Sequence, residues 1–335
     1  MSDNLNLVSM IVCCLNESDY IDRCLDSLLN QKKISGRFEI LVVDGMSTDG
    51  TRDKIRKKVE KHSEIKLYDN PAKVKPQAIN LGFRKSTGKY FVICDAHSFY
   101  DEFYISTCLE LIREHSDAWC VGGPFTNIGE TDFGKANAIA MNNPLGIGNA
   151  KHRYPDYEGY GEMVMFGLFP REVLNTVGYY DERFIINHDD EYCYRLRKAG
   201  GKVFISHRAK CFYFVRKTPR SLFKQYFSYG FWQIAFLKKH KIPISIRQLI
   251  PFIFFSFIAI LSIVSITIGN KWVGLILPTI YGGILFLASI PVLFKNGIRV
   301  AANFPLAIFI LHFSYAIGFF FGLFKFSFKD FNIKA

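Results

Sequence analysis

No two of the eight cysteines are spaced as Cys-x-x-Cys, and Cys13-Cys14, Cys94, Cys120 and Cys211 follow no regular interval. That argues against a disulfide framework or a zinc site and reads as buried thiols in a reducing compartment. The first residues, Met1-Ser2-Asp3-Asn4-Leu5, have neither a basic n-region nor an apolar h-region. No secretory signal is therefore expected, and the first part of the chain is expected to stay in the cytoplasm. Acidic residues are the minority: 30 Asp and Glu against 42 Lys and Arg give a net charge of +12. A nucleic-acid partner is not expected, because no nucleic-acid-binding motif accompanies the charge. The basic residues gather ahead of an apolar tail, which fits an anionic membrane surface, and a phosphate-bearing substrate would also suit the charge.

The 335 residues suffice for one sizeable domain with an appendage, or for two domains. Aromatics make up 16%, with 33 Phe crowded towards the C-terminal third, which points to a bilayer-embedded tail. The first ~215 residues alternate short apolar strands with polar helical stretches. Strands are expected at Val8–Cys14, Glu39–Val43, Ile65–Tyr68, Tyr90–Cys94 and Val203–Ile205. Helices are expected at Asp19–Gln31, Thr51–His62, Lys75–Ser86 and Glu191–Ala199. This rhythm implies an α/β domain with a mainly parallel sheet covered by helices on both faces. The aromatic and Gly-rich stretch Asn142–Phe169 fits either a long functional loop or several short elements.

Beyond residue 218 the character changes. Ser221–Lys241 mixes Phe223, Tyr226, Phe227, Phe231 and Trp232 with lysines, and residues 219–247 are expected to form an amphipathic segment lying on the membrane. Residues 248–335 then hold three apolar runs, Leu249–Gly269, Trp272–Phe294 and Ala302–Leu323. Each is about the ~20 residues needed to cross a bilayer. Lys295 and Arg299 between the second and third runs agree with a cytoplasmic loop. A third crossing would put Lys325, Lys329 and Lys334 outside, so a re-entrant third segment stays open.

Four clusters at strand ends or helix starts carry candidate chemistry. They are Cys14-Leu15-Asn16-Glu17, Asp44 through Thr51, Asp95-Ala96-His97, and Asn187-His188-Asp189-Asp190-Glu191. Each has a plain structural use. Asn16 can cap a helix, Asp49-Gly50 can make a turn, and acidic residues suit a helix start. A carboxylate and an imidazole two residues apart at the end of a strand can also ligate one divalent cation. The carboxyl ends of strands are where open α/β sheets bind ligands.

In this order, the clusters resemble glycosyltransferase family 2 with its GT-A nucleotide-diphospho-sugar fold. The likeness covers roughly residues 6–235 and also rests on Asn80-Leu81-Gly82 and Thr87-Gly88-Lys89-Tyr90. The string Asp44-Gly45-Met46-Ser47-Thr48-Asp49-Gly50-Thr51, the Asp-x-His variant and Gln225-Tyr226-Phe227-Ser228-Tyr229-Gly230 are similar to succinoglycan-type bacterial exopolysaccharide glycosyltransferases. The resemblance implies that Asp189 is the general base, and that Asn16, Glu17, Asp44, Lys75 and Asp95 contact the donor. It implies a divalent cation, Mg²⁺ or Mn²⁺, on Asp95 and His97, with His207 a further candidate ligand. Gly161, Glu162, Asp190 and Gln225 fall to the acceptor side. Two departures stand out: His188 replaces a carboxylate before Asp189, and the Gln-x-x-Arg-Trp pattern of processive synthases is incomplete.

The expected activity is inverting transfer of one sugar from a UDP-sugar to a membrane-associated, polyprenyl-diphosphate-linked saccharide in exopolysaccharide or cell-surface glycan synthesis. Polysaccharide-assembly proteins are expected partners. The location implied is the inner cell membrane, multi-pass, with the catalytic domain in the cytoplasm. Two alternatives remain: transfer to polyprenyl phosphate itself, and a non-catalytic component that senses nucleotide sugar.

Overall fold

The structure is a computed structural model that describes residues 8–34, 38–243 and 245–327. In chain order it runs β1 (Val8–Cys14), α1 (Ile21–Leu29), β2 (Phe38–Asp44), α2 (Thr51–Val59), β3 (Ile65–Asp69), α3 (Lys75–Lys85) and β4 (Tyr90–Asp95). It continues through β5 (Ser98–Tyr100), α4 (Tyr104–Glu114), β6 (Ala118–Gly122), β7 (Phe125–Ile128), α5 (Asp132–Ala140) and α6 (Pro144–Ile147). Then come β8 (Glu158–Gly161), β9 (Leu168–Pro170), α7 (Val173–Val177), α8 (His188–Lys198), β10 (Lys202–Ser206) and β11 (Cys211–Phe214). Four long helices follow: α9 (Pro219–His240), α10 (Ile250–Thr267), α11 (Lys271–Asn296) and α12 (Ile298–Ser327).

Two compact units result. The first takes the chain up to Thr126 together with Ala150–Tyr213; the second takes Asn127–Asn149 together with the chain from Phe214 onward. The later crossing lies near the residue 218 boundary expected from composition. The excursion of Asn127–Asn149 carries no compositional mark.

The first unit is built on an eight-stranded sheet in the order β3-β2-β1-β4-β9-β6-β10-β8. β1, β2, β3 and β4 are parallel, whereas β9 runs antiparallel to both β4 and β6. β1 is buried along its whole length, as expected of a parallel strand covered on both faces, which explains its unbroken apolar run. α1 turns Ile21, Cys24, Leu25 and Leu28 inward at helical spacing. On the face under α3 and α8, Phe83 packs on Phe91 at 4.8 Å and Tyr180 stacks on Tyr192 at 4.2 Å between ring centroids. All eight cysteines are free and buried.

The Asn142–Phe169 stretch is several short elements: α6, a 3₁₀ turn at Lys151–Arg153, β8 and the start of β9. β9 is three residues long, too short to show a period, yet it joins β4 to β6.

In the second unit, α9 is capped by Thr218 and Ser221, with Pro219 in its first turn. Among the described residues, three helical stretches are long and apolar enough to cross a membrane: Ile246–Thr267, Lys271–Asn296 and Ile298–Phe326. α9 is not a free surface helix. Leu222, Tyr226, Gly230, Gln233, Ile234, Ala235 and Phe236 are buried, and it packs closely along α12, as its glycine contacts show. α12 is one continuous helix of 30 residues, without the break of a re-entrant loop.

Candidate active site

β1 pairs with β2 on one side and β4 on the other, so the sheet reverses its strand order there. Such a switch point opens a crevice at the carboxyl ends of the strands. The register sets Cys14 beside Asp44, Asp44 beside Asp69, and Cys13 beside Asp95. Three acidic strand ends thus meet at one rim.

Asp44 is sealed: its side chain is 0% exposed and paired with Arg52 at 2.6 Å. The Ser47 backbone N–H donates to it at 3.0 Å, and the Ser47 hydroxyl and Cys14 thiol donate as well. Burial alone would raise its pKa, but Ser47 and Arg52 outweigh burial and hold it below the usual carboxylate range. Four donors therefore surround the carboxylate expected to contact base or ribose, and they tie it to Ser47 and Arg52. Arg52 reaches on to Asp69 at 2.6 Å. Asn16 adopts φ 56° and clamps the same loop: its N–H donates to Ser47 Oγ at 2.8 Å and its Oδ1 accepts from the Thr48 N–H at 2.9 Å.

At the end of β4, the Lys75 ammonium binds the Asp95 carboxylate, whose side chain is 8% exposed. Burial would raise the Asp95 pKa, but Lys75, then His97, keep it low. Lys75 is held charged against burial chiefly by Asp95 and then Asp189. His97 takes its place from Glu17, whose Oε1 lies 2.9 Å from His97 Nδ1, and from Tyr213, whose ring meets it edge-on at 4.9 Å. Glu17, expected to line the nucleotide pocket, thus holds the imidazole.

α8 begins at His188, earlier than the Glu191 start expected from periodicity, so Asp189 lies in its first turn. His188 is buried, and burial lowers its pKa, so the imidazole stays neutral 3.4 Å from Asp189. Cys13, at the end of β1, feels Lys75, Asp95 and Asp189 together, and burial pushes its thiol up to about 12. Asp95, Lys75 and Asp189 therefore share one electrostatic neighbourhood. Glu191, two residues further on, is fully buried and takes the Arg195 guanidinium at 3.0 Å, and Arg195 ties α8 to the Val177 and Tyr179 carbonyls. Asp190 follows Asp189 in the same turn.

The weaker candidates separate from this group. His207 lies 3.0 Å from Glu158, half-exposed beyond β10, where its imidazole meets a surface carboxylate. Gly161 ends β8 opposite Val203, and a Cβ there would fall 2.3 Å from Ile205, so its lack of a side chain serves packing. Glu162 follows directly after β8. Gln225 belongs to the second unit and donates to the Tyr229 hydroxyl at 3.0 Å within α9. Sequence reasoning missed Arg52. Its only signal was a basic residue in the helical turn after an acidic strand end.

Among the described residues no cluster of three or more His, Cys, Asp or Glu could hold a metal by itself. Two protein ligands nevertheless suit a hard divalent ion that takes its remaining oxygens from phosphate and water. Asp95 offers a carboxylate, and the contact between Glu17 and His97 Nδ1 leaves Nε2 as the nitrogen that could ligate, the usual arrangement of a metal-binding imidazole.

The family described as Glycosyl transferase family 2 matches residues 9–178. The chain is similar to the succinoglycan biosynthesis protein ExoA of Rhizobium meliloti, with 31% identity over 75% of this chain and 76% of that protein. It is also similar to the dolichyl N-acetyl-alpha-D-glucosaminyl phosphate 3-beta-D-2,3-diacetamido-2,3-dideoxy-beta-D-glucuronosyltransferase of Methanococcus voltae. That match has 27% identity and covers 96% of this chain and 98% of that protein. Among solved structures, the mannosyltransferase PcManGT of Pyrobaculum calidifontis, in complex with GDP-Man and Mn²⁺, shares the fold. The TM-score is 0.57 at 19% identity, over 96% of this chain and 88% of that one.

Proposed function

The chain belongs to glycosyl transferase family 2, and from that membership we propose that it inverts configuration while moving one sugar from a UDP-sugar to a lipid-linked saccharide. It is a glycosyltransferase with a GT-A domain. The observation that carries the proposal is the Lys75–Asp95 ion pair at the carboxyl end of β4, beside β1 at the switch point, with the Asp189 charge also favouring the Lys75 ammonium.

In this reading the donor lies in the crevice, with its nucleoside against the Asn16–Ser47–Arg52 rim and its diphosphate towards Lys75. A divalent ion held by Asp95 and His97, Mg²⁺ or Mn²⁺, would supply Lewis-acid stabilisation to the departing diphosphate. Lys75 neutralises Asp95 before the donor arrives and offers its ammonium to phosphate afterwards. Asp189 accepts the proton of the acceptor hydroxyl as that oxygen bonds to the anomeric carbon. The bond from that carbon to the β-phosphate oxygen breaks, and its electron pair leaves with the diphosphate. Attack from the opposite side inverts the centre.

The acceptor class is supported by the relative that matches almost end to end, whose name places its acceptor sugar on dolichyl phosphate, and by the apolar helices of the second unit. Anchoring would raise the effective concentration of a lipid-borne acceptor at the site. The catalytic unit would face the cytoplasm from the inner membrane.

The test uses the purified full chain with UDP- and GDP-sugars, with and without chelator. The acceptors are a native lipid extract and polyprenyl phosphate alone. Chelator-sensitive UDP release that requires the saccharide-bearing lipids is expected. Release with polyprenyl phosphate alone would replace the acceptor, and no release with any donor would overturn the proposal.

Glu17→Ala removes the partner that orients His97. It is expected to weaken Mn²⁺ binding in the presence of UDP by ~10–100-fold, the usual cost of losing such a second partner. Free Mn²⁺ measured by electron paramagnetic resonance reads this without turnover. Unchanged affinity would show that His97 does not ligate.

A further inference from the structure

We propose that Arg153 forms an anion subsite in the first unit, one that holds the phosphate group of a lipid-linked acceptor. The inference rests on the lipid-acceptor reading of the reaction and on none of the steps of transfer itself.

The setting of Arg153 begins with its turn. Lys151–Arg153 is a single 3₁₀ turn, in which the Arg153 N–H donates to the Ala150 carbonyl at 2.9 Å. Its three side chains have different surroundings. Lys151 is exposed and donates to the Tyr160 carbonyl at 3.1 Å. His152 is buried, with its ring 6.1 Å from that of Phe125. Arg153 lays its guanidinium 5.1 Å from the centre of the same Phe125 ring. Phe125 is 1% exposed, so the guanidinium rests on a fixed surface.

The charge on that surface lacks a counter-charge. Arg52, Arg183, Arg195 and Arg208 of the same unit each pair with a carboxylate at 2.6–3.0 Å. Among the described residues no carboxylate pairs with Arg153, and its Nη1, shut off from solvent, donates to nothing. A guanidinium keeps its charge at any physiological pH and presents its N–H groups in a planar fork. Burying such a nitrogen unpaired is unfavourable, and the face of one aromatic ring offsets only part of that. The partner that fits the fork is an oxyanion, and phosphate fits it with two oxygens at once.

Phe125 leads from Arg153 towards the candidate metal ligand. Its ring lies 5.5 Å from that of Tyr213, and Tyr213 meets His97 edge-on at 4.9 Å. The subsite is thus two rings from His97, and it uses neither Lys75 nor Arg52, the cations assigned to the donor. An acceptor saccharide on a lipid phosphate holds its reacting hydroxyl at least one sugar ring from its phosphate. That phosphate needs a cation of its own, apart from the ion that serves the donor. Chain connectivity favours a lipid as its carrier. The chain leaves the first unit after Thr126, returns at Ala150 and leaves again after Tyr213. Each crossing falls within three residues of Phe125, Arg153 or Tyr213, and each joins the unit that contains the apolar helices.

The test measures binding, not turnover. The purified full chain is saturated with UDP and Mg²⁺, which fills the donor site, and titrated with farnesyl diphosphate, farnesol and inorganic diphosphate. Farnesyl diphosphate is expected to bind, and the other two to bind far more weakly. Arg153→Gln should weaken farnesyl diphosphate by ~10–100-fold, the loss of hydrogen bonds to a charged group, while UDP affinity holds. Arg153→Lys keeps the charge without the fork and should fall between the two, and it decides the matter if the Gln variant does not fold. Four results would overturn the proposal. They are no farnesyl diphosphate binding by the unaltered protein, undiminished binding by the variants, inorganic diphosphate binding as tightly, or a loss of UDP affinity in its place, which would assign Arg153 to the donor. These affinities are read whether or not any sugar is transferred, so failure of the subsite and failure of the transfer reading are separate results.

Discussion

Asp189→Asn should lower kcat by ~10²–10⁴-fold, the contribution of a well-placed general base, while UDP affinity holds. The change keeps the side chain's size and removes only its ability to take a proton. Asp189 lies in the first turn of α8, where losing a negative charge at the helix dipole costs about 0.3–1 kcal/mol, so the fold should survive. Asp95 is the chief partner of Lys75 and Asp189 only the next, so the Lys75–Asp95 pair remains when Asp189 is neutralised. Donor binding should therefore persist. Asp190→Asn is the control. One residue along a helix turns a side chain by roughly 100°, so Asp190 cannot occupy the same place, and its loss should leave most turnover intact. Steady-state kcat and UDP titration, measured separately, decide the matter. If UDP affinity falls with turnover in Asp189→Asn, the residue serves the donor site and not the acceptor proton.

Much of this arrangement was legible in the sequence, for a local reason. Tyr90–Cys94 reads as a buried strand because an unbroken apolar run can only be covered on both sides, and Asp95 then must fall at its end. The same logic placed Asp44 after β2, and the acidic run at Asp189 marked the start of a helix. What could not be read depends on partners far along the chain. Glu17 meets His97 across 80 residues. Arg52 looks like any basic residue on a polar helix until Asp44 and Asp69 close around it. β9, with three residues, has no period, and its place between β4 and β6 is set by pairing alone.

The ion pair at the centre of the site should also be the most sensitive point for stability. Lys75→Met leaves the Asp95 carboxylate, 8% exposed, without its counter-charge. Removing one partner of a buried pair typically costs about 3–5 kcal/mol, because the remaining charge has lost its solvation and gained nothing in exchange. Asp95→Asn should cost less. Lys75 is the more exposed partner and can extend towards water, and the Asp189 charge still favours its charged form. In the double variant, Lys75→Met with Asp95→Asn, no unpaired carboxylate remains, so much of the loss should be recovered. Chemical unfolding of the four proteins without nucleotide or metal measures this coupling directly. Additive single effects would show that water already screens Asp95. A large recovery would show that Lys75 supplies the positive charge that makes an acidic strand end tolerable until a diphosphate and its cation arrive.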